Sequence, residues 1–588
     1  MCSIIGYFGA KDAAPILVRA LQKMEYRGYD SVGIATKNDD LITVKKGVGK
    51  VSDVNNLLDL NKMSGKIGIG HTRWATHGKV SENNAHPHFS NSGKIAIVHN
   101  GIIENFLELK NNLISDGFTF HSETDSEVIA NLIQQNFDNS SDVKSTILKT
   151  VSQIKGHYSF IVIFGDGTLA AVRFHEPLII GIGKNSYYPS SDVLGFIEKT
   201  DDAIYIENEN FSIINDLGLQ IFNFDGTEIK SNITKVSKEF ADVYKGDYAH
   251  FTLKEISEQH KTILSAGNDE QIKNVCQQIL ESKNLYITGS GTSYNAARIA
   301  KILMSNYAKI KVEPIIASEL PFSPDSIEKD STLIAISQSG ESADVLEAVR
   351  IAKESNAKII SIVNHPNSSL SQESDIVISL SCGPEIGVAA TKSFTSQLAI
   401  LYKITNQLSD MRINPNWEEI SGSILSQVQS VAEENSKIRQ LAKTLKDVSD
   451  IYVLGRGIHF PIAMEAALKL KELTYIHAEG IPGGELKHGP LALMDSNVFV
   501  IIINPNDATY TETLNSANEI KARGAKIIGI SDKKSDVYDY WIEIPSIDDA
   551  LYSIIEIIPI QLLAYYSAIE KNTDPDYPRN LAKSVTVK

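Results

Sequence analysis

Cysteine is scarce in this chain of 588 residues, and positive charge is outnumbered. The three cysteines, Cys2, Cys276 and Cys382, lie far apart and form no C-x-x-C pair. Their odd number and wide spacing exclude a disulfide scaffold and give no sign of a metal or redox site. Asp and Glu number 72 against 56 Lys and Arg, a formal net charge of -16. The chain therefore offers no overall positive field to a nucleic acid or an anionic membrane.

Targeting and membrane-crossing patterns are also lacking. The first six residues have neither the basic region nor the long apolar stretch of a signal peptide. The most apolar long window, residues 552–569, contains Glu556 and Pro559 and falls short of the roughly 20 apolar residues that a bilayer crossing needs. We therefore expect a buried helix there, and a cytoplasmic protein with reduced thiols that binds neither membrane nor nucleic acid.

The first part of the chain has the pattern of a layered α+β domain. Up to about residue 235, short strand-like runs are separated by Gly, Asn and Asp turns, with helical patterns at residues 14–24 and 125–135. Sequential strands joined by tight turns favour an antiparallel sheet, and the helices favour a layered arrangement. We predict this domain at residues 1–237 and a linker at residues 238–261.

The rest of the chain contains an internal repeat. Long helical patterns alternate with apolar β-branched runs, typical of a parallel sheet covered by helices. Residues 284–291 (NLYITGSG) match residues 450–457 (DIYVLGRG), each a strand pattern entering a Gly-x-Gly turn before an Ala-rich helix. The match predicts two doubly wound α/β copies. We place them at residues 262–425 and 426–572, followed by a C-terminal catalytic tail at residues 573–588.

Cys2 becomes the first residue if the initiator Met is removed. It then carries a nucleophilic thiol and an α-amine whose ordinary pKa of about 8 makes it a base near neutral pH. An amide substrate with an amino-acid head also needs a cation, an anion and donors for the tetrahedral oxyanion, which Arg73, Asp125 and the Asn100-Gly101 pair can supply. The alternative interpretations are that Cys2 has no role, that Arg73 and Asp125 are surface charges, and that Asn100-Gly101 is a plain hairpin turn.

These residues belong to a set of motifs in the first domain: YRGYDS (26–31), RWATHG (73–78), NAHPH (84–88), HNGIIEN (99–105) and SETD (122–125). Together the motifs resemble the N-terminal-nucleophile glutamine amidotransferases, whose fold is a layered αββα sandwich. One departure is Ser3, where that family usually has Gly.

The resemblance implies a role for each matched residue. Cys2 would attack the glutamine side-chain amide with its own α-amine as proton acceptor and donor, and Asn100 with the Gly101 backbone would form the oxyanion hole. His86 would support the pocket and Trp74 would gate ammonia. The implied glutamine-binding residues are Arg73, Trp74, Thr76, His86, Gly101 and Asp125.

Two Ser-rich loops in the first α/β copy favour phosphate. Residues 337–342 (SQSGES) follow an apolar strand pattern and precede a helical pattern that starts near Ala343. Hydroxyls, a flexible Gly and free amides at a helix start together attract an anion. Residues 290–293 (SGTS) supply a second such loop at the same sheet edge. The alternative is that these serines only cap helices. The second copy, with Asn504-Pro505-Asn506, lacks the pattern, so we expect one phosphate site for the two copies.

The second copy carries candidates for proton transfer. Lys469 and Glu472 are three apart on a helical pattern, so both side chains lie on one face. The alternative is an ordinary ion pair, and His488 alone is most often a satisfied loop histidine. Lys583 lies in the short tail, where two prolines and apolar neighbours can restrain it and lower the pKa of its amine.

The two loops and the tandem copies, with EIGVAATK at residues 385–392, resemble sugar isomerase domains. With the first domain they resemble the isomerising glutamine:fructose-6-phosphate aminotransferase family over essentially the whole chain. The implied reaction forms glucosamine 6-phosphate and glutamate from fructose 6-phosphate and glutamine, the first step of the hexosamine pathway leading to UDP-N-acetylglucosamine. Ammonia would pass internally, without a metal or organic cofactor. Departures are Ser290, where Cys is usual, and Ser342, where Thr is common.

The same resemblance implies the sugar-site roles. Glu472 would move a proton between C1 and C2 with help from Lys469, and Lys583 would form a Schiff base with the opened sugar. His488 would open the ring in the neighbouring subunit's site of a homodimer. The implied sugar-phosphate-binding residues are Thr292, Ser293, Ser337, Gln338, Ser339, Ser342, Val388 and Ala582.

Three rival functions remain open from sequence alone. Another amidotransferase with this glutaminase domain would need a pyrophosphate or ATP site, which the sequence does not show. A sugar-phosphate sensor with a relict glutaminase would not need Cys2, Glu472, His488 or Lys583. A deglycase running in the reverse direction would normally dispense with the Cys2 domain.

Overall fold

A computed structural model shows two compact units. They are Met1–Val243 with Ala582–Lys588, and Tyr244–Leu581. The residues that the structure describes are 2–39, 41–75, 77–236, 245–409, 415–431 and 436–586. The predicted linker at residues 238–261 lies partly outside these ranges, and the four predicted boundaries between the five segments stay predictions.

The first unit contains two antiparallel sheets and helices. Its strands are β1 (Ser3–Phe8), β2 (Ser31–Asn38), β3 (Leu41–Val48), β4 (Ile67–Arg73), β5 (His88–Phe89), β6 (Ile95–Ile103), β7 (Gly156–Phe164), β8 (Leu169–Phe174), β9 (Ile179–Gly183), β10 (Ser186–Ser190), β11 (Asp202–Tyr205), β12 (Asn210–Asn215), β13 (Gly218–Asn223) and β14 (Thr234–Lys235). Its helices are α1 (Ala13–Met24), α2 (Val51–Leu58), α3 (Phe106–Ser115), α4 (Ser126–Ser140) and α5 (Val143–Gln153).

The two sheets pack face to face between helical layers. One sheet has the order β14-β11-β9-β10-β1-β4-β2-β3 and the other β13-β12-β8-β7-β6-β5. Ile69 of β4 and Ile161 of β7 belong to the core between the sheets, whereas Ile129 of α4 packs on the outer face of the second sheet. α1 lies so close to the outer face of the first sheet that a Cβ at Gly70 would come within 2.9 Å of Leu21. The predicted αββα layering is confirmed.

The second unit contains two parallel sheets. Its strands are β15 (Leu285–Gly289), β16 (Val312–Ile316), β17 (Thr332–Ser337), β18 (Lys358–Val363), β19 (Ile376–Ser379), β20 (Asp450–Gly455), β21 (His477–Pro482), β22 (Phe499–Ile503), β23 (Lys526–Ser531) and β24 (Tyr540–Glu543). Its helices are α6 (Phe251–Ser265), α7 (Asp269–Glu281), α8 (Thr292–Leu303), α9 (Ala343–Glu354), α10 (Ser369–Gln372), α11 (Lys392–Leu408), α12 (Trp417–Ser430), α13 (Lys437–Thr444), α14 (His459–Thr474), α15 (Tyr510–Lys521) and α16 (Tyr552–Glu570).

The two sheets have the same strand order, β16-β15-β17-β18-β19 and β21-β20-β22-β23-β24. In each copy the first strand lies between the second and the third, and all pairs are parallel. The chain therefore reverses its direction of travel across the sheet at β15/β17 and at β20/β22. Such a switch point opens a crevice at the carboxyl ends of the strands, where doubly wound folds bind ligands. The predicted pair of doubly wound copies is confirmed.

α16 is the buried helix that the apolar window at residues 552–569 predicted. In the described part of the chain, the segment Asp549–Glu570 alone is long and apolar enough to cross a membrane, and 89% of its apolar window is buried within the protein. Apolar side chains around the whole helix, including Ile555, Ile558 and Leu562, join the core of the second unit. A helix that is apolar all round fits such a core.

Candidate active sites

Cys2 immediately precedes β1 and meets the loop after β4. Its Sγ accepts a hydrogen bond from the Trp74 backbone N–H at 3.2 Å and lies 3.4 Å from the Trp74 carbonyl oxygen. Burial raises the pKa of the Cys2 thiol, despite the nearby positive charge of Arg73. The thiol is therefore protonated near neutral pH, and attack on an amide requires a base to remove that proton.

Asn100 and Gly101 lie inside β6, where they pair with Ser159 and Tyr158 of β7. The alternative of a two-residue hairpin turn is therefore wrong. Gly101 has φ +116°, and a Cβ there would lie 2.0 Å from the His157 carbonyl oxygen, so only glycine fits.

The side-chain amide of Asn100 is buried and has no hydrogen-bond partner among the residues that the structure describes. Asn100 is 1% exposed, and neither its nitrogen nor its oxygen forms a hydrogen bond to any described residue. A buried amide left unpaired costs folding free energy, so it indicates a site kept for a ligand. This is the property that an oxyanion donor needs.

The two predicted charges of the glutamine pocket are buried, so the surface-charge alternative is wrong for both. Arg73, at the end of β4, is 3% exposed, and its guanidinium donates to the carbonyl oxygens of His77 and Lys79. Asp125, directly before α4, is 4% exposed and accepts a hydrogen bond of 2.8 Å from the Ile103 N–H. Both charges are thus fixed by backbone groups.

The other predicted pocket residues lie in the same unit. The His86 ring stacks on His71 with ring centroids 4.0 Å apart, and burial lowers the pKa of both, so both are neutral. Trp74 packs edge-on against Tyr29 at 6.1 Å. Thr76 lies outside the described residues. The departure at Ser3 is accommodated, because its hydroxyl donates to the Met24 carbonyl at 3.0 Å.

A buried ion pair beside Cys2 was missed by the sequence analysis. Arg27 Nε donates to the Cys2 carbonyl at 3.4 Å, and its Nη1 lies 3.2 Å from Asp192. The Tyr26 hydroxyl donates to the same carboxylate at 2.6 Å. The motif at residues 26–31 gave the only signal, since Asp192 is 165 residues away from Arg27.

In the second unit, the two Ser-rich loops follow the neighbouring strands β15 and β17, as predicted. Thr292 and Ser342 stand at the starts of α8 and α9, and the residues at the two N-caps, Gly291 and Ser342, make no capping hydrogen bond through a side chain. The Ser337 hydroxyl accepts from the Gly340 N–H at 3.0 Å and lies 3.3 Å from the Ser342 hydroxyl. The switch point of the first copy therefore combines hydroxyls with uncapped helix amides, which suits phosphate.

The remaining predicted sugar-site residues have local partners. Ser293 accepts a hydrogen bond of 3.1 Å from the Gln397 amide, and Val388 donates its N–H to the Asp576 carbonyl at 3.1 Å. The Gln338 carbonyl accepts from the Asn364 N–H at 3.1 Å. The Ser339 hydroxyl accepts from the Glu341 N–H at 3.2 Å.

The proton-transfer candidates lie on α14 and form the ion pair that the spacing allowed. Lys469 Nζ is 2.6 Å from Glu472 and 3.3 Å from Glu465. Burial lowers the pKa of Lys469, but the two carboxylates more than offset this effect, so the pKa is raised. The two carboxylates therefore favour the charged form of Lys469, which suits an electrostatic role.

The last three predicted residues are placed as follows. His488 ends a short 3-10 helix, Gly483–His488, and is exposed. Ala582 and Lys583 belong to the first compact unit and are partly buried. Their roles stay predictions.

Comparison with known proteins agrees with this division. The family model described as "Glutamine amidotransferase domain" matches residues 71–194, and the model described as "SIS domain" matches residues 278–406 and again 444–571. Relatives named glutamine--fructose-6-phosphate aminotransferase [isomerizing] include proteins of Thermococcus kodakarensis and Francisella tularensis, each 41% identical over the whole of both chains. A relative of the same name in Aquifex aeolicus is 39% identical, again over the whole of both chains.

Among solved structures, the C-terminal domain of glucosamine-fructose-6-phosphate aminotransferase from Francisella tularensis is similar to this chain. It is 36% identical with a TM-score of 0.52, and the match covers 57% of this chain and all of that domain. Tagatose-6-phosphate ketose/aldose isomerase from Escherichia coli matches with a TM-score of 0.50 at 20% identity, over 57% of this chain and 96% of that chain. That second likeness concerns the fold alone.

Proposed function

Because the chain belongs to the isomerising glutamine–fructose-6-phosphate aminotransferases, we propose that the residues described above carry out its two half-reactions. The protein transfers the amide nitrogen of glutamine to fructose 6-phosphate, giving glutamate and glucosamine 6-phosphate, the first step of the hexosamine pathway. The observation that carries this function is the full-length similarity to such enzymes, with both domain types in one chain.

In the glutamine half-reaction, the Cys2 α-amine removes the thiol proton, and Sγ attacks the side-chain amide carbon. The raised pKa of the thiol supports this assignment, since a thiol that is protonated at neutral pH needs such a base. The unpaired Asn100 amide and the Gly101 N–H donate to the oxyanion. The amine then passes the proton to the leaving ammonia, and water hydrolyses the thioester to glutamate.

The glutamine head is held by opposite charges. The Arg73 guanidinium binds the α-carboxylate, and the Asp125 carboxylate binds the α-ammonium. Thr76 and the Gly101 backbone complete the contacts, His86 supports the pocket floor, and Trp74 gates the release of ammonia.

In the sugar half-reaction, phosphate binds at the start of α9, held by Ser337, Gln338, Ser339 and Ser342, with Ser293 at the neighbouring loop. Thr292, Val388 and Ala582 contact the sugar. His488 opens the ring, and the Lys583 amine condenses with the C2 carbonyl, releasing water. Ammonia then displaces the lysine amine at C2.

The isomerisation step that follows moves one proton from C1 to C2. The Glu472 carboxylate takes the proton from C1 and returns it to C2. In the same step the C1 hydroxyl gives up its proton and the C2 imine nitrogen gains one, so that C1 becomes the aldehyde carbon and C2 carries the amine. Lys469 stays charged throughout and stabilises the negative charge that develops on the C1 oxygen.

The experiment mixes the purified chain with glutamine and fructose 6-phosphate and measures both products. Glutamate and glucosamine 6-phosphate are expected in equal amounts. Glutamate without amino sugar favours the rival amidotransferases, and binding of sugar phosphate without either product favours a sensor.

We also propose a homodimer in which His488 acts in the partner's sugar site, supported by its exposure in this chain. The test mixes His488→Asn chains with Glu472→Gln chains, each inactive by itself. If His488 acts in the partner, a mixed dimer has one site with both groups intact and regains synthesis. If His488 acts within its own chain, both sites stay defective.

The three cysteines are free thiols, which fits a reducing cytoplasm. The cytoplasmic location stays a prediction.

A further inference from the structure

Glu465 is a fully buried carboxylate that joins the two copies of the second unit. It lies on α14 of the second copy, and both of its oxygens are used by α8 of the first copy. Oε1 accepts a hydrogen bond of 3.0 Å from the Thr292 hydroxyl, and Oε2 accepts one of 2.8 Å from the Asn295 amide. The carboxylate therefore fixes the start of α8, the helix that begins within the Ser-rich loop at residues 290–293.

Glu465 also contacts the proton-transfer pair. Lys469 Nζ lies 3.3 Å from Glu465 and 3.2 Å from the Thr292 hydroxyl, and it forms its shortest contact, 2.6 Å, with Glu472. Lys469 is fully buried, whereas the Glu472 side chain is 18% exposed. One cation thus lies between a buried carboxylate and a solvent-accessible one.

The charges of Glu465, Lys469 and Glu472 are coupled, so Glu465 affects how strong a base Glu472 is. With two carboxylates present, the positive charge of Lys469 is shared. Without the Glu465 charge, the full attraction of Lys469 acts on Glu472, which stabilises its ionised form and makes it a weaker base. Leaving a buried cation with less compensation also weakens the packing of α8 on α14.

The Thr292 hydroxyl is constrained by the same contacts. A carboxylate can only accept, so the hydroxyl proton is donated to Glu465. One lone pair of Oγ1 accepts from Lys469, and the other remains for a ligand. Thr292 can therefore accept from a sugar hydroxyl but cannot donate to a phosphate oxygen.

We propose that Glu465 is a positioning residue for the sugar half-reaction, which orients the Thr292 hydroxyl as an acceptor for a sugar hydroxyl and shares the charge of Lys469 with Glu472. The inference rests on the proposed roles of Thr292, Lys469 and Glu472. It predicts that the two copies cooperate in one site through a contact that neither copy contains alone.

The test is Glu465→Gln, which keeps the shape and removes the charge. We expect kcat for both synthesis and fructose 6-phosphate isomerisation to fall about tenfold or more, with a smaller change in KM. Glutamine hydrolysis should be retained. Adding Asn295→Asp returns a carboxylate to the same network, with the newly introduced glutamine amide as its donor, and should recover part of kcat.

Glu556→Gln is the matched control, since Glu556 is also fully buried in the second unit but contacts His459 instead. It should lower the melting temperature without changing kcat for isomerisation. The inference would be overturned if Glu465→Gln kept the parent's kcat for isomerisation. It would also be overturned if Glu556→Gln lowered this kcat as much as Glu465→Gln does. The parent enzyme's own synthesis, measured in parallel, tests the proposed function separately.

A second measurement examines the Thr292 hydroxyl. Thr292→Val should raise KM for fructose 6-phosphate while inhibition by inorganic phosphate stays unchanged, because phosphate is held elsewhere. Weaker inhibition by inorganic phosphate in Thr292→Val would overturn the acceptor assignment.

Discussion

Nε2 of His459 lies 2.9 Å from a carboxylate oxygen of Asp507. The two residues follow β20 and β22, so they occupy the switch point of the second copy, where the first copy has its Ser-rich loops. On its other side, Nδ1 of His459 lies 2.9 Å from Glu556 of α16. A buried ion cluster thus fills the place that corresponds to the proposed phosphate site of the first copy, which accounts for the lost Ser pattern at residues 504–506.

His459 makes the stability of the second unit sensitive to alkali. Burial lowers its pKa, but Glu556 and Asp507 more than offset this and raise the pKa to about 10. The ordinary value of about 6.5 applies to the unfolded chain. The stabilisation is therefore complete below about pH 6.5 and is lost as pH rises toward about 10.

His459→Gln should lower the free energy of unfolding at pH 6.5 by about 3–5 kcal/mol, because two buried carboxylates lose their cation. The difference from the parent should shrink as pH approaches 10, which denaturant unfolding across this range can measure. His477→Gln is the control, since its pair with Asp450 at 3.0 Å is 69% exposed on the histidine side and should matter little. A pH-independent difference would refute the charge assignment.

Asn100→Ala separates catalysis from stability. We expect glutamine hydrolysis to fall about 10²–10³-fold in kcat, as for loss of one oxyanion donor. The melting temperature should hardly change, because the Asn100 amide has no partner among the described residues to lose.

Asn136→Ala is the comparison, since the Asn136 amide donates to Thr150 at 3.1 Å and to Gln153 at 2.8 Å. Asn136→Ala should lower the melting temperature and leave kcat for glutamine hydrolysis per folded molecule unchanged. A strongly destabilised Asn100→Ala with an unchanged kcat would contradict the oxyanion role.

Cys2→Ala should abolish glutamine hydrolysis and amino-sugar synthesis and leave slow isomerisation between fructose and glucose 6-phosphate. Alanine still permits removal of the initiator Met. Cys276→Ala, which removes a buried thiol far from Cys2 in the chain, should keep both activities. Glutamine hydrolysis by Cys2→Ala at the parent rate would show that another residue is the nucleophile.

Ser339→Asp should weaken fructose 6-phosphate binding about ten- to hundredfold through like-charge repulsion with the phosphate. Glutamine affinity should change far less. Ser326→Asp places the same charge on an exposed residue between β16 and β17, outside both Ser-rich loops, and should leave fructose 6-phosphate affinity unchanged. Calorimetry measures the affinities, and equal values for parent and Ser339→Asp would move the phosphate site elsewhere.

Lys583→Arg should lose synthesis and most isomerisation while keeping basal glutamine hydrolysis, because the guanidinium keeps the charge but does not condense with a ketone. In the parent, borohydride with fructose 6-phosphate should reduce the imine and leave a stable adduct on Lys583, mapped by mass spectrometry. Lys487→Arg should still form it. An adduct on Lys469 or Lys487 instead would show that Lys583 does not form the Schiff base, and would leave the C-terminal tail with a packing role only.

Local sequence patterns predicted much of the fold. The start of α9 at Ala343 followed from the Ser-rich loop before it, and the shared face of Lys469 and Glu472 followed from their spacing on α14. Asn100-Gly101 shows where local chemistry was insufficient, since its turn preference is overridden by pairing with β7.

Contacts between residues distant in the chain were not predictable from periodicity. Glu465 and Asn295 are 170 residues apart, and His459 and Glu556 are 97 apart. In the sequence Glu465, Asn295 and His459 look like ordinary polar residues of helices, and Glu556 is a lone charge in the apolar window at residues 552–569. Only the packing of α8 and α16 against α14 shows which groups neutralise one another.

The contact of Thr292 with Glu465 bears on how the duplicated halves can be inherited. On the proposed roles, the first copy retains the anion-binding loops and the second retains the acid–base helix, so a gene cut between them would encode two silent fragments. Activity would return only when both fragments are made in one cell and reassociate. A substitution at Glu465 is therefore tolerated only if Thr292 and Asn295 in the other copy remain compatible with it. The two repeated halves are thus expected to change together during evolution and not independently.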